Sequence, residues 1–217
     1  MIKSKKNLYI TIILIGMFSV VAAEIRLDNI DSIKNWNIIQ KKVIQIKWTD
    51  YEGYPICQTT SVLPFSMESI SSIIEDVENY PSVFKRIHKT NILEKDIVHV
   101  MLDMPLFLSN RDYVIQYIKS KNQNTWEFTF NAVEHMNAPE KNNYVRLVNA
   151  AGKWKLVPKN KNETSVSYIW NGELLGDFPS FALEIAWKTQ GNEIIHWLND
   201  ALEYTYPILF IIVNNHN

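Results

Sequence analysis

Two residues of opposite charge stand side by side at Arg111 and Asp112, directly behind an apolar run, Pro105-Leu106-Phe107-Leu108. Adjacent strand positions point to opposite faces, so the pair does not converge on one pocket. Its expected role is structural, with Arg146 a candidate partner for Asp112, because a buried charge left unpaired is costly. Other reactive side chains are scattered. His88, His99, His135, His196 and His216 stand at no metal-ligand spacing from each other, from an acid or from the single cysteine, so no metal site is expected. There is no glycine-rich phosphate loop, no G-x-S-x-G elbow and no cysteine-based nucleophile pattern, and no cofactor is expected. An acid–base enzyme could be assembled from groups such as His99 and Tyr117, but it needs a proximity that spacing alone does not supply. Cys57 lies in the strand-like run ICQTTSVL and reads as a small buried residue; alone, it forms no intramolecular disulfide.

Composition narrows the classes. Twenty-two basic and 23 acidic residues leave a net charge of −1, so nucleic acid is not an expected partner. A chain of 217 residues that is 47% hydrophobic can bury one sizeable core, and a monomer is expected. Lys3, Lys5 and Lys6 precede an apolar stretch from Leu8 to Val21, and Val21-Ala22-Ala23 ends it with small or modest residues. That is the layout of a signal peptide over residues 1–23, with cleavage near Ala23 and a periplasmic or secreted mature protein as the expectation. An uncleaved membrane anchor is the competing reading; the stretch falls a little short of the ~18–20 residues of a span.

The elements that must position these groups follow from periodicity. WNIIQKK and VIQIKW read as two short strands, DYEGYP as a turn, and ICQTTSVLP as a third strand. Ser66 is placed as a helix N-cap, and Met67, Ile70, Ile73, Ile74 and Val77 recur at spacings of three and four until Pro81. TNILEKDI and VHVMLDM suit a hairpin, RDYVIQYIKS a further strand, and TWEFTFNAV alternates with Trp126, Phe128 and Phe130 on one face. YVRLVNAAGKWKLVP reads as one long strand with a bend at Gly152, and SVSYIW as the last strand. From Pro179 to about Tyr204 the period becomes helical; roughly 25 residues span about 38 Å. A meander of strands must bury its inner face, and only this helix is long enough to cover it, so an internal cavity is expected.

In this order the segments resemble the START lipid-transfer family, its secreted bacterial members above all. The resemblance is carried by NWNIIQKK, TTSVLPFSMESISSIIEDVENYPSVFKRI, VHVMLDMPLFLSNRDYV, NYVRLVNAAGKWKLVP and ETSVSYIWNGELLGDFP, over about residues 33 to 203. It implies an α+β helix-grip fold of the Bet v 1-like superfamily: a curved antiparallel sheet around the long C-terminal helix, with a hydrophobic cavity for one lipid-like molecule. Residues 24–206 would form the domain and 207–217 an apolar tail. The implied ligand-facing residues are Met101, Leu106 and Phe107, then Tyr113, Ile115, Tyr117 and Phe128, then Phe178, Phe181, Ile185, Thr189 and Trp197. Some sterol-binding relatives place an arginine where Tyr117 stands, and its matching acid would fall near Val98 or His99; that charged pair is missing. The turn NGELLGDFPSF also departs from the family spacing before the last helix.

Three functional readings follow. A carrier or sensor would hold a lipid or other hydrophobic small molecule and touch membrane transiently through the 105–108 loop. A cyclase or aromatase would use the same cavity as a reaction vessel. A surface-interaction module would have a filled core and no void.

Overall fold

The computed structural model describes residues 25–105 and 108–207. The signal-like segment, Leu106, Phe107 and residues 208–217 of the tail lie outside the described residues. The chain opens with three strands, β1 (Asn37–Lys41), β2 (Gln45–Tyr51) and β3 (Tyr54–Leu63). Glu52 and Gly53, at φ 55° and 84°, close the β2–β3 hairpin; glycine takes such values without steric cost. Two helices follow, α1 (Met67–Glu75) and α2 (Tyr80–Val83). Ser66 caps α1 by accepting the Ser69 N–H at 3.2 Å, and Ile70 and Ile74, one turn apart, are buried.

The remaining strands are β4 (Ile87–Glu94), β5 (Ile97–Leu102), β6 (Asn110–Lys121), β7 (Trp126–Ala132), β8 (Tyr144–Arg146), β9 (Ala151–Asn160) and β10 (Glu163–Asn171). A 3-10 turn, Ser180–Ala182, leads into α3 (Leu183–Thr205). The ten strands form one sheet in the order β1-β2-β3-β10-β9-β7-β6-β5-β4, with β8 alongside β6. The ladders between successive strands on this path are antiparallel, and β8–β6 is parallel. The pairing of β3 with β10, from Leu63↔Thr164 to Ile56↔Asn171, joins the first strands to the last.

Helix α3 lies against β1, β2 and β3 and against α1 and α2. Trp187, Gly191, Ile194, Ile195, Leu198 and Leu202 form its buried stripe at helical spacing. Ile194, Ile195, Leu198 and Leu202 share the main core with Ile46, Phe65, Ile70, Ile74, Phe128 and Leu156, and Trp187 packs in a smaller cluster with Cys57 and Trp170. Gly191 marks a close approach: a Cβ there would stand 3.0 Å from Ile46 Cδ1 and 3.3 Å from Thr59 Cβ. Thr59 Oγ1 donates to its carbonyl at 3.1 Å. This is an α+β helix-grip arrangement, as expected.

Two readings of local structure need correction. YVRLVNAAGKWKLVP is two strands, because Tyr144–Arg146 pairs in parallel with Asn110–Asp112 while Ala151 begins a separate ladder with β7. Gly152 is not a bend. It faces Phe130 across β7, and a Cβ would meet Phe130 Cζ at 2.3 Å and the Ile169 carbonyl at 2.8 Å.

Candidate functional site

A cavity of about 340 Å³ lies between α3 and the sheet. Its size is at the small end for sites that enclose a single small molecule. Strand register builds its wall. Tyr117 faces Phe130, Phe130 faces Gly152, and Gly152 faces Trp170; the next row sets Trp154 beside Tyr168, with Phe128 beyond Trp154 in the core. Because Gly152 has no side chain, the Phe130 ring lies across its place. The rings are continuous: Tyr117–Phe130 at 5.6 Å, Phe130–Tyr168 at 6.4 Å, Tyr168–Trp154 at 4.4 Å and Tyr168–Trp170 at 5.3 Å between centroids. Phe84 continues from Trp154 at 6.1 Å, and Tyr80 stands edge-on to Phe84 at 4.9 Å. Ala186, Thr189, Gln190 and Trp197 of α3 supply the roof.

Polar atoms are few inside this wall, and their satisfaction is uneven. The Tyr80 hydroxyl donates to the Ile74 carbonyl at 2.6 Å, and the Tyr117 hydroxyl is hydrogen-bonded to Tyr80. Among the described residues, the Tyr113 and Tyr168 hydroxyls make no hydrogen bond, and the buried Trp170 Nε1 has no partner. A buried donor left unpaired costs about 1–3 kcal/mol. Burial raises the pKa of Tyr80, Tyr113, Tyr117 and Tyr168, so all four remain protonated phenols at neutral pH.

The charged groups stand at the rim. Arg86 Nε and NH2 reach the Glu193 carboxylate at 2.6 and 2.8 Å, tying the approach to β4 to α3. Arg111, 0% exposed, donates to the Leu174 carbonyl at 3.1 Å, the Leu175 carbonyl at 3.0 Å and Asp177 Oδ1 at 2.8 Å, and also to the Ser109 carbonyl. It thereby holds a strap, residues 173–178, whose backbone turns through φ 48° at Leu175 and 59° at Gly176. Hydrogen bonding from the Ser109 N–H, with the Arg111 charge, lowers the Asp177 pKa. Asp112 takes the opposite face of the sheet. Its Oδ1 accepts Arg146 Nε at 2.9 Å, and its Oδ2 accepts Arg146 NH2 at 2.7 Å and lies 2.7 Å from His99 Nε2.

The structure brings together Tyr113, Tyr117, Phe178, Ile185, Thr189 and Trp197 around the cavity. Leu106 and Phe107 lie outside the described residues. Four other expected lining residues are elsewhere. Met101 alternates with Leu102, which lines the cavity, so it turns to the Asp112 side, where Lys141 Nζ is 3.8 Å from its sulfur. Ile115 shares the face of Tyr113 and Tyr117 but packs with Val98, Val100 and Phe130. Phe128 is buried in the main core at the end of the sheet covered by α1 and α3. Phe181 is 87% exposed, because the turn before α3 aims Phe178 and Ala182 at the cavity instead. His99 and Tyr117 are not brought together: His99 is on the Asp112 side and Tyr117 faces the cavity.

Sequence reasoning missed Tyr80, Phe84, Trp154, Tyr168 and Trp170. The period-two aromatics of SVSYIW were a usable signal for Tyr168 and Trp170. Nothing local marked Tyr80 or Phe84. Among the described residues no group of three or more His, Cys, Asp or Glu could hold a metal ion. No described helix is long and apolar enough to cross a membrane.

No family model matches the chain, and no curated protein matches it by sequence. Solved structures do. A STAR-related lipid transfer protein fragment from Xanthomonas axonopodis superposes with a TM-score of 0.68 at 19% identity, over 78% of this chain and 99% of that one. Human StAR-related lipid transfer protein 5 gives 0.70 at 12% identity, over 78% and 87%. A START superfamily protein from Mycobacterium smegmatis gives 0.54 at 14%, over 69% and 98%. At these identities the likeness establishes a START-like fold.

Proposed function

We propose that this protein is a non-enzymatic carrier or sensor that holds one lipid-like molecule in the cavity beneath α3 and works outside the cytoplasm. The observation that carries this reading is the aromatic cavity itself: about 340 Å³, walled by Tyr80, Phe84, Phe130, Trp154, Tyr168 and Trp170, with Arg86 of its lining held by Glu193. The lipid-transfer proteins that share the fold support the ligand class. The signal-like layout of residues 1–23 supports the compartment. A carrier is preferred to a cyclase-type vessel because His99, the candidate base, lies on the other side of the sheet from the cavity. Membrane contact belongs to the same reading. Phe181 and Ile185, exposed beside the cavity mouth, would touch the bilayer together with the 105–108 loop.

Native mass spectrometry after detergent-free purification is the direct test. The expected result is protein carrying one added lipid mass, and delipidated protein should gain thermal stability when lipid is returned. Protein that is always empty, and that no lipid stabilises, would overturn the reading.

A further inference from the structure

Three side chains that line the cavity carry hydrogen-bond donors with no protein partner among the described residues. Trp170 Nε1 is buried and unpaired, and an indole N–H can only donate. Tyr113 and Tyr168, which line the same cavity, also lack partners among the described residues. Tyr168 stacks against Trp170 at 5.3 Å and 16°, so two of the three groups belong to one face-to-face pair. Tyr113 and Tyr168 both pack against the cluster of Val98, Val100, Ile115 and Phe130, which sets the third group beside the pair. Buried polar groups in native proteins are almost always satisfied. One fully buried unpaired donor, beside two phenols that line the same cavity, therefore points to an acceptor on the ligand.

Charge is described as well. Among the described lining residues the cation is Arg86, and Glu193 already holds it in a two-pronged pair at the rim. A carboxylate seated among the phenols would have no counter-ion. A quaternary ammonium could rest on the ring faces, with Asp103 and Glu173 of the lining to balance it, but it would leave the Trp170 N–H unpaired.

Resting on the carrier reading, we propose that the ligand carries a neutral hydrogen-bond acceptor, a hydroxyl or a carbonyl, seated among Tyr113, Tyr168 and Trp170. Its hydrocarbon part runs toward the mouth between Leu102, Phe178 and Ile185. A ligand hydroxyl would accept from the indole and donate to a phenol oxygen; a ketone or ester carbonyl would accept from two donors.

The test uses one chain with different ends: dodecanol, dodecyl acetate, dodecane, dodecanoate and dodecyltrimethylammonium. Binding to delipidated full-length protein is read by quenching of tryptophan fluorescence, since Trp154, Trp170 and Trp197 line the cavity. Dodecanol and dodecyl acetate should bind about tenfold or more tighter than the other three, the difference one or two buried hydrogen bonds make. Tyr168→Phe, Tyr113→Phe and Trp170→Phe should each erase much of that advantage and leave dodecane unchanged. Equal affinity across the neutral probes, preference for either charged end, or indifference to all three substitutions would overturn the inference while the carrier reading stands. Failure of every probe to bind would overturn both. If a variant does not fold by circular dichroism, the ranking on the wild-type protein decides.

Discussion

Asp112 is fully buried on the side of the sheet away from the cavity and faces two partners, Arg146 and His99. Burial by itself would raise its pKa. The hydrogen bonds from Arg146 and His99, with the charge of Arg146, outweigh that and hold it below the ordinary value. The sign of the linkage follows. Asp112 stabilises the fold fully above its unfolded pKa of about 3.9, and this is lost as pH falls through the lower folded value. Asp112→Asn should cost about 3 kcal/mol at neutral pH, since it leaves Arg146 without its carboxylate. The gap from wild type should then narrow as pH falls from about 4, where the unfolded chain takes up the proton, through the lower folded value, where the native carboxylate does. Urea unfolding at a series of pH values measures it, and a gap that does not change with pH would refute the assignment. The opposite faces of Arg111 and Asp112 were legible from strand alternation. That Arg111 clasps the backbone of residues 174–175 was not, because those carbonyls come from 63 and 64 positions away.

At the scale of elements, periodicity located α1, the strands and the long α3. It misjudged positions where two elements meet. Gly191 looks in the sequence like a weak point in a helix, since glycine costs about 1 kcal/mol against alanine there. In the fold it is where α3 comes closest to β2 and β3. Gly191→Val should therefore lower stability by about 1–3 kcal/mol, because Ile46 and Thr59 already occupy the space. Thermal unfolding is the readout, and an unchanged midpoint would show that the contact yields. Gly152 carries the same lesson in the sheet: the absence of a side chain on β9 admits the Phe130 ring and shapes the cavity wall.

At the scale of the molecule, two large apolar side chains are exposed beside the cavity. Phe181 is 87% exposed and Ile185 70%, one turn apart at the start of α3. Exposed aromatic and aliphatic side chains beside a cavity mouth suit contact with a bilayer. Phe181→Glu should reduce co-flotation with neutral phosphatidylcholine vesicles by about tenfold, the order expected from one buried phenylalanine side chain. Ligand affinity should not change, because Phe181 does not line the cavity. Undiminished flotation would remove this turn from the contact.

The order of elements, the inward faces of most strands and the helix that covers them follow from the sequence by itself. Period-two and period-3.6 hydrophobic patterns are local properties that a chain carries before it folds. Tertiary structure alone decided which aromatics meet. Tyr80, Phe84, Trp154, Tyr168 and Trp170 come from α2 and the neighbouring turn, β9 and β10, and become neighbours only when β10 pairs with β3 and β9. Alternation distinguishes one face of a strand from the other. It does not distinguish the part of that face covered by α1 from the part left open, and that difference separates Phe128, in the core, from Phe130, in the cavity wall. The unpaired donors that point to the ligand are in the same position: a hydrogen bond not made is a property of assembled neighbours, and it has no trace in the order of residues.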